Sequence, residues 1–233
     1  MEANSLLSTH KTELSSLFLK LKDYCSLSDP FFKLDSSKYG TTVYIHKDVA
    51  TGTPIIKAEK VIQSSAEILF NLLVLDDAAT KDWDDACEDV MVYEIQETKY
   101  FYGYYRIKSQ GFLSPRDFSF VTSYNEDENG DIYIVSKSYN DEEIKEFKGC
   151  VRAELYMMGY ALIPLSDNET LVKFVLHMDI KGSVPKFIIN MMAGYLGDSV
   201  NLISKYLEKN KPKAEMGKIW TRKEIAEKYM KKK

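Results

Sequence analysis

Residues 99–107, KYFYGYYRI, hold the densest chemistry in the chain. In an extended strand Tyr100, Tyr102, Tyr104 and Arg106 share one face, while Phe101, Tyr105 and Ile107 share the other. Aromatic faces attract quaternary ammonium, so a tyrosine wall could hold a choline head; plain core and surface packing is the alternative. A second stretch, SPRDFSF at 114–120, sets Arg116 beside Asp117 directly before an alternating strand. Turn chemistry explains its Ser and Pro but not the two charges. Adjacent strand residues point to opposite faces, so Arg116 and Asp117 cannot both line one cavity. His177, in KFVLHMD, faces the same way as Lys173 and Asp179, yet general acid–base work needs a partner that the sequence does not nominate.

The common enzyme signatures are absent: there is no GxSxG, P-loop, HExxH or paired-Cys motif. Cys25, Cys87 and Cys150 are odd in number, far apart and without metal-ligand spacing, so neither a disulfide framework nor a metal site is expected, and a reducing, cytoplasmic setting fits. No cofactor is implied. The start, MEANSLLSTH, has an early acid and no uninterrupted apolar run, which argues against a secretory signal. The most apolar later stretch, VPKFIINMMAGYLGDSV, is broken by Lys186 and Asp198 and falls short of a membrane span.

The net charge of −4 conceals an asymmetry. From Lys209 onward the tail holds ten Lys or Arg against three Glu, so it carries +7 and leaves −11 on the rest. An acidic body argues against a nucleic-acid partner. The basic tail has two readings, docking on an anionic membrane with Trp220 at the interface, or a solvated appendage that could also fold back onto the acidic body.

The elements that must position these residues follow from periodicity. Leu7, Leu14, Leu17, Phe18, Leu21 and Tyr24 fall at helical intervals in an amphipathic opening helix. TTVYIHKDV and PIIKAEKVIQ read as strands around a turn, and residues 64–87 return to helical period with Ser64 or Ser65 as cap. Six strand-like runs then occupy roughly ninety residues from Glu88, with Asn129-Gly130 as a two-residue hairpin signal, and their short links require an antiparallel meander. A long helix closes the domain, with Ser183 as cap, Pro185 in the first turn and an apolar stripe of Ile189, Met192, Leu196, Val200, Ile203 and Leu207. Gly194 and Gly197 weaken its middle. In the tail, Thr221 and Glu224 make a capping box and Trp220 with Ile225 a hydrophobic staple, so a short helix is predicted from Arg222. The class is α+β, with one domain over 1–208 and a basic tail over 209–233.

Five blocks in this order resemble the START domain, the lipid-transfer family related to steroidogenic acute regulatory protein. They are Trp83-Asp84, SPRDF, VRAE at 151–154, Gly159-Tyr160 and DIKGSVPKFIIN at 179–190. The resemblance covers 83–208 by motif, earlier residues by element order only, and fades after Glu208. It implies a helix-grip fold, a curved antiparallel sheet wrapped around the long C-terminal helix with a hydrophobic tunnel between them. It makes 108–115, KSQGFLSP, a gate loop with Gly111, Phe112 and Leu113, and Arg116 and Asp117 anchors for its end. Asp89 corresponds to an acidic cavity residue of the steroidogenic relative, and with Arg106 on the next strand it could bind a hydroxyl or phosphate; an exposed cross-strand pair, or no pair, is the alternative. Ile189, Met192, Leu196, Val200 and Ile203 would line the tunnel roof, or be plain core.

The function so implied is binding of one phospholipid or sterol-like molecule by a monomer that visits membranes, with no enzymatic step. An enzyme of the cyclase or hydrolase type on the same scaffold and a regulatory protein-interaction module are the competing readings.

Overall fold

A computed structural model describes residues 2–26, 31–111, 113–182 and 198–230. Helix α1 (Glu2–Ser26) leads into β1 (Lys33–Lys38), β2 (Thr41–Lys47) and β3 (Pro54–Ile62). Short helices α2 (Ala66–Phe70) and α3 (Thr80–Trp83) precede β4 (Cys87–Gln96), β5 (Tyr100–Ile107), β6 (Arg116–Glu126), β7 (Ile132–Ser138), β8 (Val151–Arg152), β9 (Glu154–Ser166) and β10 (Glu169–Asp179). Residues 198–207 form the described part of α4, and α5 spans Arg222–Met230.

The strands make one curved ten-stranded sheet in the order β1-β2-β3-β10-β9-β7-β6-β5-β4, with β8 alongside β6. Every pairing along that path is antiparallel, as the short links require. The sheet buries residues on both faces. On the inner face α2, α3 and α4 pack against Ile56, Ala58, Val92, Phe101, Phe118 and Leu162, and α4 contributes Val200 and Ile203, both fully buried. On the outer face α1 lays Leu14, Leu21 and Tyr24 against Tyr102, Tyr133, Val135, Met157 and Ala161. Gly159 permits that approach, since a Cβ there would fall 2.7 Å from Leu21 Cδ1. The α+β helix-grip architecture is therefore present.

The structure departs from or adds to the sequence reading at four places. The helical period of 64–87 is realised as short pieces: Ser65 caps α2, with its Oγ accepting from Ile68 N at 3.3 Å, a wide turn at Asn71–Leu75 follows, and Asp76 leaves helical geometry. Its buried carboxylate instead accepts the Lys213 N–H at 2.8 Å, a tertiary contact that overrides local periodicity. Strand β1, KLDSSK, has no apolar alternation and is recognisable only from its pairing with β2. CVRAELYMMGYALIPL at 150–165, one of the six strand-like runs, divides at Ala153, with β8 before it pairing with β6 in parallel across just two residues. The hairpin at Asn129-Gly130 has a five-residue loop between Glu126 and Ile132, because Asp127 Oδ1 accepts from both Asn129 N and Asp131 N; only Gly130 takes positive φ. Ser183, Pro185, Ile189, Met192, Gly194, Leu196 and Gly197 lie outside the described residues.

Candidate lipid cavity

Three of the motif blocks meet at one junction and answer why Arg116 and Asp117 are adjacent. The Arg116 guanidinium turns one way, donating to the carbonyls of Ser114 at 2.6 Å, Ile180 at 3.3 Å and Lys181 at 3.4 Å. Asp117 turns the other way, accepting from Arg152 Nε at 2.8 Å and Nη2 at 3.3 Å and from the Tyr104 hydroxyl at 2.9 Å. SPRDF is thereby tied to VRAE through Asp117 and to the DIKG segment through Arg116. Both residues are anchors, as expected. The loop they anchor is closed by reciprocal backbone hydrogen bonds between Gln110 and Leu113, at 3.2 and 3.0 Å, with Gly111 at φ 59°. Leu113 is half-buried and Gly111 exposed, while Phe112 lies outside the described residues.

Between the inner face of the sheet and the helices lies a cavity of about 200 Å³. Its strand wall comprises Tyr105 and Ile107 of β5, Phe118 and Phe120 of β6, Ile134 of β7, Leu155, Met158 and Tyr160 of β9, and Phe174, Leu176 and Met178 of β10. Leu73, Thr80, Trp83 and Asp84 close it from the α2–α3 side, and Ser199 is the described α4 residue that borders it. Val200 and Ile203 belong to the inner core beside it and do not border the free space. The strands supply this wall because alternation delivers every second apolar side chain to the same concavity. Gly103 adds to it: the Phe120 ring overlies the glycine so closely that a Cβ would stand 2.3 Å from Phe120 Cζ.

Several polar groups on the cavity wall satisfy one another, while the buried Trp83 Nε1 has no hydrogen-bond partner among the described residues. The Tyr105 hydroxyl donates to Asp84, and Asp84 also accepts from Ala86 N at 3.0 Å. Burial, followed by the Asp84 charge, pushes the Tyr105 phenol well above its ordinary value. Cys87, next to this pair, is pushed up to about 12, mainly by burial. Thr122 and Ser136 share a hydrogen bond of 2.6 Å. Burial likewise raises Tyr160. Such groups orient the wall.

The expected site residues Asp89, Tyr100, Tyr102, Tyr104 and Arg106 are placed elsewhere. All five lie away from this cavity, and those of β5 are on the outer face. Tyr102 meets His10 of α1, with its hydroxyl 3.1 Å from Nδ1. Tyr104 packs on Phe147 and Tyr229, and Tyr100 lies partly buried beside the same outer core with Lys11 over its ring. Asp89 and Arg106 are register neighbours that pair with different charged groups and share Tyr229. Asp89 binds Lys81 at 2.8 Å, Lys228 at 2.7 Å and the Tyr229 hydroxyl, while Arg106 binds Glu88 at 2.8 Å and stacks over Tyr229 at 4.4 Å. Period-two spacing says which residues share a face and leaves open which face is hollow, so Tyr105 and Ile107, the complementary set, were missed as cavity residues. His177 is a structural residue: its Nε2 meets the hydroxyls of Thr51 at 3.0 Å and Thr53 at 2.9 Å at the β2–β3 turn.

The tail folds back on the acidic body. Its capping box is formed, with Glu224 N donating to Thr221 Oγ1 at 3.1 Å and Thr221 N to Glu224 Oε2 at 2.8 Å, and α5 begins at Arg222 as predicted. Ile225 and Tyr229 are buried in the outer core.

Comparisons with known proteins agree with this geometry. The START domain family model matches residues 20–197. The crystal structure of human STARD10 superposes with a TM-score of 0.74 at 22% identity, covering 82% of this chain and 78% of that one. Human StAR-related lipid transfer protein 5 gives a TM-score of 0.78 at 17% identity, covering 87% and 99%. An Arabidopsis thaliana protein, ENHANCED DISEASE RESISTANCE 2-like, is 25% identical over 134 residues, which is 54% of this chain but 19% of that protein, so the chain spans about a fifth of the length of that relative. With the family match extending over most of its length, the chain belongs to the START domain family.

Proposed function

We propose that this protein takes up one lipid, a phospholipid or sterol-like molecule, into the inner-face cavity, which widens from about 200 Å³ to admit it, and exchanges or senses it at membranes, acting as a monomer in the cytoplasm. The observation that carries the reading is the cavity wall of apolar strand residues in a member of a lipid-binding family. A methylene withdrawn from water is worth about 0.8 kcal/mol, so a lipid with roughly thirty of them faces on the order of 20 kcal/mol for leaving its membrane uncovered. A protein that substitutes its own oily wall removes most of that barrier without a catalytic group. The raised Tyr105, Tyr160 and Cys87 favour this over an enzyme, whose acid or base would be tuned toward neutral pH. Among the described residues no helix is long and apolar enough to cross a membrane.

Gly111, Phe112 and Leu113 serve as the gate in this proposal, with Ile189, Met192 and Leu196 as the roof. Native mass spectrometry of the purified chain tests it. A one-to-one lipid adduct, or one acquired after incubation with vesicles, is the expected result; a protein that stays empty in both cases contradicts it. If Leu196→Arg and Met192→Arg each leave folding and uptake unchanged, the roof assignment falls while the cavity stands.

A further inference from the structure

The tail crosses from the inner side of the sheet to the outer side around its β4 edge. Leaving α4, it is pinned first at Asp76, whose carboxylate accepts the Lys213 N–H at 2.8 Å. Trp220 N then donates to Val92 O on edge strand β4 at 2.8 Å. On the outer face, Arg222 is gripped by Glu94 at 2.8 Å and Asp141 at 2.9 Å, and Lys228 by Asp89 at 2.7 Å. Ile225 and Tyr229 fill the space between these ion pairs. The receiving carboxylates of Asp89 and Asp141 are only 5% and 4% exposed, so the body presents built acidic sockets for a basic helix.

The cations filling those sockets remain within reach of solvent: the Arg222 side chain is 26% exposed and that of Lys228 is 30%. Lys209, Lys211, Lys213, Lys218 and Lys223 lie exposed along the same segment. A segment of this composition, with Trp220, Ile225 and Tyr229 interleaved, suits an anionic bilayer as well as it suits the sockets. We propose that residues 209–230 are a releasable strap, whose cations sit on Glu94, Asp141 and Asp89 in the closed domain and exchange onto the phosphates of an anionic bilayer. Arrival at such a membrane is thus the event that unfastens the strap. Because the strap continues directly from α4, its release also frees the C-terminal end of the element that borders the cavity at Ser199.

This deepens the carrier reading, but its test measures vesicle binding and not lipid uptake, so either can fail alone. Full-length protein is sedimented with vesicles of phosphatidylcholine alone or with about one-third phosphatidylserine. Glu94→Gln with Asp141→Asn loosens the sockets without touching the tail, and binding to the anionic vesicles should tighten about tenfold. A control with the same charge change on exposed acids outside the strap contacts, Glu67→Gln with Glu128→Gln, should tighten it by less than about threefold. Lys209→Gln with Lys211→Gln and Lys213→Gln should weaken it about a hundredfold. Glu94→Gln alone replaces the double variant if that one folds poorly. In the unmodified chain, anionic vesicles should speed hydrogen exchange of the Trp220 amide, which the closed strap ties to Val92. Equal effects of socket and control variants, an unchanged lysine variant, or a Trp220 amide that stays protected on anionic vesicles would each overturn the strap.

Discussion

The two faces of this sheet are built from the same strands yet do opposite work. The outer face is packed by α1 and α5, and its polar groups are knitted into ion pairs and hydrogen bonds such as Asp117–Arg152 and Asp141–Arg222. The inner face is equally apolar but leaves about 200 Å³ unfilled. Strand β5 shows the division within eight residues: Tyr102 and Tyr104 turn outward into packed rings, and Tyr105 and Ile107 turn inward to the free space. Hydrophobicity alone does not mark the hollow face. What distinguishes it is the free space its wall borders.

That contrast can be broken from either side. The largest effect is expected outside: Asp117→Ala removes the carboxylate that pairs with Arg152 and accepts from Tyr104, at a cost of about 3–5 kcal/mol in denaturant unfolding. Leu21→Ala, which empties a fully buried outer site against Gly159, should cost about 2–5 kcal/mol and leave lipid uptake by the folded fraction unchanged. The inner counterpart behaves in reverse. Met158→Trp places bulk into free space, so uptake should fall by about tenfold or more while stability moves by less than about 1.5 kcal/mol. Similar uptake for the Met158 and Leu21 variants would erase the distinction between the faces.

A smaller, pH-dependent effect separates the tail contact from the cavity. Burial acts to raise Asp141, but hydrogen bonds from Tyr139, Tyr93 and Arg222 outweigh it and hold the carboxyl below its ordinary value. A depressed carboxyl stabilises the fold fully above the unfolded-state value of about 3.9, and that contribution is lost as pH falls below it. Protection of the 222–230 amides, with the intrinsic exchange rate divided out, should therefore fall on acidification below about pH 4, and Asp141→Asn should flatten that response. The smallest effect belongs to the cap: Thr221→Ala should loosen α5 by about 1 kcal/mol, read as faster exchange in its first turn, with the cavity untouched.

Local signals in the sequence carried these elements well where the deciding contacts are local. The capping box of α5 needs only Thr221 and Glu224, three residues apart, and the start at Arg222 followed directly. The paired roles of Arg116 and Asp117 followed from strand alternation. Legibility ended where a distant contact decides. Lys213 holds Asp76 out of a helix 137 residues earlier in the chain. Likewise α1 and α5 chose the outer face for the Tyr102, Tyr104 and Arg106 set, and no periodicity within β5 could say which set would meet a helix and which a hollow.

Photolabelling with a lipid carrying a diazirine in its acyl chain, followed by peptide mapping, reads the location of the cargo directly. Labels on Met158, Tyr160, Leu176 and Tyr105 are the predicted result, with none on Tyr102, Tyr104 or Met157. Labels concentrated on that outer set would contradict an inner-face lipid cavity.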